Sequence, residues 1–172
     1  LAERLGVTHE TVRRDLTLLQ ERGLLRRVHG GAVLAESLVH EALPIATALL
    51  PRVGGLSILG GRVRRETEAT VDQWALRSLA ALRVDVAFLG TNAFSIEHGL
   101  ATPDEAEAAI KAAFVTCARL RVLLADHSKF GRESLHRYAR MDDIDVLITS
   151  RDLPEADAAE LARSSGVEVI RA

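Results

Sequence analysis

Two groups of residues in this 172-residue chain have the types and spacing to do chemistry. The first lies in 1–33, LAERLGVTHETVRRDLTLLQERGLLRRVHGGAV. Thr8, His9, Thr11, Arg13 and Arg14 crowd one short stretch, and Arg26, Arg27 and His29 follow beyond Gly23. Arginine presents a fork of N–H donors that matches guanine edges and phosphate oxygens, and threonine and histidine bond to bases or phosphates. The chemistry is recognition of double-stranded DNA. The second group is scattered: Gly60-Gly61, Gly90-Thr91-Asn92, Asp126-His127-Ser128-Lys129 and Thr149-Ser150, each just after an apolar run. Paired glycines let backbone N–H groups approach an anion, and Lys129 supplies a point charge for phosphate.

The first group needs a helix-turn-helix to position it. Leu1 and Leu5 share one helical face, and Gly6 can turn the chain. Thr8 reads as an N-cap, with Glu10 in the first turn. Val12, Leu16 and Leu19 then recur at helical spacing, so they pack inward and His9, Thr11, Arg13, Arg14 and Thr17 face outward. The first turns of a second helix are where this motif reaches base edges. Gly23 ends that helix. Leu24–Val28, a His29-Gly30-Gly31 turn and Ala32–Leu34 read as a hairpin, a wing whose Arg26, Arg27 and His29 would meet phosphate or the minor groove.

The second group needs a parallel sheet. Short apolar strands are expected at Leu56–Leu59, Val84–Leu89, Leu120–Ala125, Ile144–Ile148 and Val167–Ile170, with helices at 43–50, 71–82, 102–119 and 154–165 between them. Leu38–His40 could add a short strand. Residues 62–70 read as a polar loop. Thr102, Pro103 and Glu105 read as N-cap, first position and capping-box partner of their helix. Alternation of apolar strands and helices implies a parallel sheet covered on both faces. Ligands bind such sheets beyond the carboxyl ends of the strands, where the scattered polar residues fall. Polar loops follow apolar strands in most α/β domains, so this edge alone does not identify a ligand.

Composition agrees without deciding. Aromatics are 3%, so the core is aliphatic. The net charge of −2 gives no global case for a polyanion partner, but residues 1–33 carry six Arg against four acids while the remainder is acidic. One cysteine, Cys117, excludes an internal disulfide framework and fits a reducing, cytoplasmic setting. No apolar run approaches the roughly 20 residues of a membrane span. The six histidines lack zinc spacing, so no metal is expected. No cofactor is implied either.

The segments Thr8–Leu16 and Leu24–Ala32 resemble the winged helix-turn-helix of the DeoR family of bacterial transcriptional regulators. Leu59–Gly61, Phe88–Gly90, Gly99–Glu105 with Glu107 and Lys111, and Leu124–Arg132 resemble that family's sensor domain, which is similar in fold to ribose-5-phosphate isomerase. The resemblance implies two domains: residues 1–35, a winged helix-turn-helix lacking its first helix, and residues 36–172, an incomplete α/β effector-sensing domain. It implies a repressor of carbohydrate genes that binds a DNA operator as a homo-oligomer and is released by a phosphorylated sugar. The effector would meet Gly60, Gly61, Gly90, Asn92, Thr102, Glu107, Lys111, Asp126, Ser128 and Lys129, with Lys129 on the phosphate.

The sequence departs from the family at two places. It lacks the sensor's opening strand and Asp-x-Gly-Thr-Thr loop, and it has Gly90-Thr91-Asn92-Ala93 where Gly-Ala-Asp-Gly is common. An asparagine cannot serve as a general base, which weighs against the alternative of an isomerase. A remnant that binds DNA but no longer senses is the other alternative.

Overall fold

A computed structural model describes residues 25–28, 31–34, 38–52 and 56–172. The helix positions Thr8, His9, Thr11, Arg13 and Arg14, and His29 of the turn, lie outside the described residues. The chain divides into two compact units, one of residues 1–59 and 63–70, the other of residues 60–62 and 71–172.

In the first unit the expected wing is a hairpin. β1 (Leu25–Val28) pairs antiparallel with β2 (Gly31–Leu34), with Arg26 opposite Val33 and Arg27 opposite Ala32. Next, β3 (Leu38–His40), α1 (Leu43–Leu49) and β4 (Leu56–Ile58) form a parallel β-α-β step, with Leu38 opposite Leu56. Pro44 sits in the first turn of α1, where its missing N–H costs nothing. β4 was expected as a buried strand of the main sheet. Among the described residues it pairs with β3 alone, and Ser57 and Ile58 are exposed. The expected polar loop at 62–70 is a second hairpin, β5 (Arg62–Arg64) with β6 (Ala69–Val71). Its strands are too short for a periodic signal.

The second unit is built on a four-stranded sheet ordered β13-β12-β10-β7: β7 (Val84–Gly90), β10 (Ala118–Leu124), β12 (Val146–Thr149) and β13 (Glu168–Arg171). Every pairing is parallel, as expected. α2 (Gln73–Ala80) precedes β7 and starts later than expected. Asp72 fixes that start, accepting Trp74 N–H at 2.9 Å and Arg62 N–H at 3.0 Å. α2 buries Ala75 and Leu79 at i, i+4, and leaves Trp74 70% exposed.

α3 (Glu105–Cys117) buries Glu107, Ile110, Phe114 and Cys117 along one stripe, and it packs on β7, β10 and α2. Its N-cap is Asp104, whose carboxylate accepts Glu107 N–H, and not Thr102. Asp104 lies immediately before the first helical residue, Glu105, and its side chain takes the cap. Thr102 accordingly ends a strand and is fully buried. α4 (Glu155–Ser165) packs on β13 and stops at Gly166, which takes φ 74°.

A second sheet was not expected. β8 (Ala93–Ser95), β9 (Gly99–Thr102) and β11 (His136–Ala139) pair antiparallel in the order β11-β9-β8. Gly99 has φ 73°, and a Cβ there would meet the Ala139 carbonyl oxygen. That close approach lets β9 lie against β11.

The expectation that both faces of the main sheet are covered also fails. The strand order runs in one direction from β7 to β13, so right-handed crossovers lay their connections on one face. On the other face Phe88 and Leu124 remain 41% and 46% exposed.

The amino end of the sheet is fastened by one ion pair. The Asp145 carboxylate accepts Arg121 N–H at 2.7 Å, and Nε and a terminal guanidinium nitrogen at 2.8 Å each. Partial burial works to raise the pKa of this carboxyl, but the Arg121 hydrogen bonds and charge outweigh it and hold it below the ordinary 3.8. A depressed carboxyl stabilises the fold above its ordinary value, and the contribution is lost as pH falls through the lower folded-state value. Asp145→Asn should therefore cost about 1–2 kcal/mol at neutral pH, allowing for partial exposure. In urea unfolding, the gap between variant and wild type should close on acidification below 3.8. A gap independent of pH would show that the pair does not titrate with folding.

Candidate functional site

The parallel register sets the site. Gly90, Leu124 and Ile148 stand side by side at the carboxyl ends of β7, β10 and β12. Beyond them opens a cleft of about 460 Å³ lined by Gly90, Thr91, Leu124, Ala125, Asp126, Lys129, Ile148, Thr149, Ser150 and Ala172. Its floor is apolar and its rim polar. All of these residues belong to the second unit.

The rim is built by the turn after β10. Asp126 accepts Ser128 N–H at 2.9 Å, and Lys129 N–H returns to the Asp126 carbonyl at 3.1 Å, closing a single 3-10 turn over His127–Lys129. Hydrogen bonding from Ser128 holds the Asp126 carboxyl below the usual range. Ser150 then ties this turn to the end of β12. Its hydroxyl accepts His127 N–H at 3.1 Å and lies 2.8 Å from His127 Nδ1. Lys129 is thereby held on the rim, half-buried beside an ionised carboxylate. A cation, backbone donors and hydroxyls around an apolar floor suit a small anionic ligand with hydroxyl groups.

The ten sequence-derived effector candidates fall into separate groups. Gly90, Asp126 and Lys129 line the cleft, and Ser128 shapes its turn from an exposed position. Asn92, Thr102 and Glu107 form a separate cluster that runs from the surface inward: Thr102 Oγ1 lies 2.9 Å from exposed Asn92 Oδ1 and 3.4 Å from Glu107 Oε2. Thr102 and Glu107 are both buried. Lys111 joins the two groups, donating to the Gly90 carbonyl at 2.8 Å. Gly60 and Gly61 do not line the cleft. A Cβ on Gly61 would lie 2.7 Å from the Val71 carbonyl, so this glycine serves the turn into α2.

The sequence reading placed Thr149 and Ser150 at this edge without assigning them to a ligand. It overlooked Tyr138 on β11, whose hydroxyl also donates to the Gly90 carbonyl, at 3.0 Å. Burial pushes the Tyr138 phenol up, so it stays a donor. Nothing near Tyr138 in sequence marks it, because β11 carries no recognisable strand pattern.

Comparison with known proteins adds two family matches: the DeoR-like helix-turn-helix domain over residues 1–38 and the DeoR C terminal sensor domain over residues 37–151. Among relatives, the HTH-type transcriptional regulator GlpR of Haloferax volcanii is 31% identical over 227 residues, covering 99% of this chain and 89% of the relative. The HTH-type transcriptional repressor GlcR of Bacillus subtilis is 26% identical, covering 96% and 86%. The glycerol-3-phosphate regulon repressor of Haemophilus influenzae is 26% identical, covering 90% and 82%. The alignment with GlpR runs over 227 positions, more than the 172 residues of this chain, so that relative has positions with no counterpart here.

One atom at the cleft is unsatisfied. Thr149 Oγ1 is buried without a hydrogen-bond partner. Replacing a lone buried hydroxyl by a methyl removes its desolvation penalty, so Thr149→Val should stabilise the fold by about 1 kcal/mol. A lower urea midpoint in the variant would show that the hydroxyl has a partner in solution.

Proposed function

Because the chain belongs to the DeoR family of transcriptional regulators, we propose that it is a repressor whose sensor unit is read by a small phosphorylated sugar or polyol. Residues 1–35 act as the DNA reader and residues 36–172 as the sensor. Thr8, His9, Thr11, Arg13 and Arg14 meet base edges and phosphates in the major groove of the operator. Arg26, Arg27 and His29 of the wing meet the backbone or minor groove. The protein works in the cytoplasm and binds its operator as a homo-oligomer, each copy presenting one reader. No helix among the described residues is long and apolar enough to cross a membrane.

The observation that carries the sensing half is the cleft at the carboxyl ends of β7, β10 and β12, with Lys129 on its rim. The name of one relative, the glycerol-3-phosphate regulon repressor of Haemophilus influenzae, supports the same ligand class. Lys129 neutralises the phosphate, the Ser150 hydroxyl offers a polar contact, and Asp126 holds the turn. Ligand binding favours a state with poorer DNA contacts. Linkage makes the effect reciprocal: effector weakens DNA by the factor by which DNA weakens effector.

Two experiments test the halves separately. Arg13→Ala with Arg14→Ala should lower operator affinity at least about thirtyfold in a gel-shift titration, since each base or phosphate contact contributes about 1–3 kcal/mol. Unchanged affinity would overturn the DNA-reading assignment. Lys129→Ala should weaken glycerol 3-phosphate binding about tenfold or more in calorimetry, as loss of a charge-assisted contact implies. Its ligand-free operator affinity should stay at the wild-type level. If wild type gives no binding heat with a panel of sugar and polyol phosphates, the chain reads DNA without sensing them.

A further inference from the structure

Ser150 follows β12 and lines the cleft, and His127 stands behind it, outside the lining. Two atoms of His127 reach the one hydroxyl. The backbone N–H donates to Ser150 Oγ at 3.1 Å, and ring Nδ1 lies 2.8 Å from the same oxygen. Asp152 Oδ2 approaches that ring nitrogen as well, at 3.8 Å. Serine, histidine and aspartate are the members of a nucleophilic relay, but a relay uses both ring nitrogens. Here both partners meet Nδ1, so the trio is not built to activate Ser150 as a nucleophile.

A count of hydrogen bonds gives it another task. A serine hydroxyl has one proton and two lone pairs. The His127 N–H fills one lone pair of Ser150. If Nδ1 carries no proton, the Ser150 proton goes to Nδ1 and a lone pair is left for the cleft. If Nδ1 carries a proton, it fills the second lone pair and the Ser150 O–H is left for the cleft. The first arrangement repels an anion and the second donates to it. The charged groups around the ring come from two turns, Asp126 and Lys129 on its own and Arg151 and Asp152 on the one after β12. Among the described residues, Asp152 is the carboxylate paired with the ring. It favours a proton on Nδ1 and, being exposed, biases that state without fixing it. Lys129 opposes a second cation nearby, and an anion on the rim removes that opposition.

We propose that His127 is a positioning residue that turns the Ser150 hydroxyl into a donor for the ligand phosphate, so that phosphate binding draws a proton onto the His127 ring. The inference rests on the cleft being the effector site. It makes the cleft favour a phosphorylated ligand over its neutral counterpart. Histidine exchanges its proton near neutral pH, so the linkage acts where a cell works. Linkage is reciprocal: ligand promotes protonation by the factor by which protonation promotes ligand binding.

The test uses the full chain with glycerol 3-phosphate as probe. Calorimetry in two buffers of different ionisation heat reads the protons taken up on binding. The phosphate titrates in the same range, so each variant is compared with wild type at one pH, about 7. His127→Ala should raise Kd about tenfold. In His127→Asn the amide nitrogen stands where Nδ1 stood and donates without titrating. Its Kd should return to within about threefold of wild type, while wild type takes up more proton than this variant. Ser150→Ala should cost about as much as His127→Ala, and the double variant no more than either, because one residue acts through the other. Wild-type binding by His127→Ala, additive costs in the double variant, or equal proton uptake by wild type and His127→Asn would each overturn the positioning role. So would a His127→Asn variant that binds no better than His127→Ala, which would leave the ring a packing role only. Lys129→Ala separates the two levels of the argument. If it weakens binding while the His127 and Ser150 variants bind as wild type does, the cleft stands without this inference. If Lys129→Ala also binds as wild type does, or wild type does not bind, the cleft reading falls and this inference with it.

Discussion

The parallel register between β10 and β12 is the constraint on which the sensor unit depends. A parallel ladder can slip, because its hydrogen bonds repeat evenly and its side chains here are interchangeable aliphatics. The Arg121–Asp145 pair removes that freedom at the amino end, where a bidentate guanidinium contact and a backbone N–H meet one carboxylate. With that end fixed, Val122, Leu123 and Leu124 must face Val146, Leu147 and Ile148. The same register propagates to β7, where Leu124 faces Gly90. A slip of one residue would turn each aliphatic to the wrong face and separate the three residues that form the cleft floor.

Around that frame the site has two layers. The outer layer is the turn Asp126–Lys129, closed on itself and tied to Ser150, which presents a cation and small polar groups. The inner layer lies behind it: Thr102 bonds to Asn92 and Glu107, and Lys111 and Tyr138 bond to Gly90. Most buried polar groups are paired, and Thr102, Glu107 and Tyr138 find their partners around the end of β7. The inner layer therefore stiffens the strand end that the outer layer needs. The sheet itself is left open on one face near this end, with Phe88 and Leu124 partly exposed, because its crossovers all step the same way.

Long, strongly patterned elements were legible in the sequence. β7, β10, β12 and β13 are short apolar runs bounded by polar or glycine residues, and α3 and α4 carry helical spacing, so their order alone implied a parallel α/β sheet. The wing hairpin was legible from its Gly-Gly turn. β8, β9 and β11 were not: three or four residues each, they have too few positions for an alternating pattern, and their pairing joins segments far apart in the chain. Thr102 misled for a related reason. Its type and spacing satisfied a capping rule, but the helix starts at Glu105 and Asp104, immediately before it, took the cap.

The sequence by itself determined the types of the longer elements, the parallel sheet, the polar edge at its carboxyl ends and the family resemblance that the matches bear out. Local composition and period carry that information, because each strand or helix is specified by neighbours a few residues away. Only the tertiary structure decided which polar residues share a site. Lys129 and Thr149 meet at the cleft, Glu107 and Thr102 withdraw into the interior, and Gly60-Gly61 turns toward α2. Such groupings depend on register, on crossover direction and on which face a side chain takes. Those quantities are fixed by long-range pairing, and no window of sequence contains them.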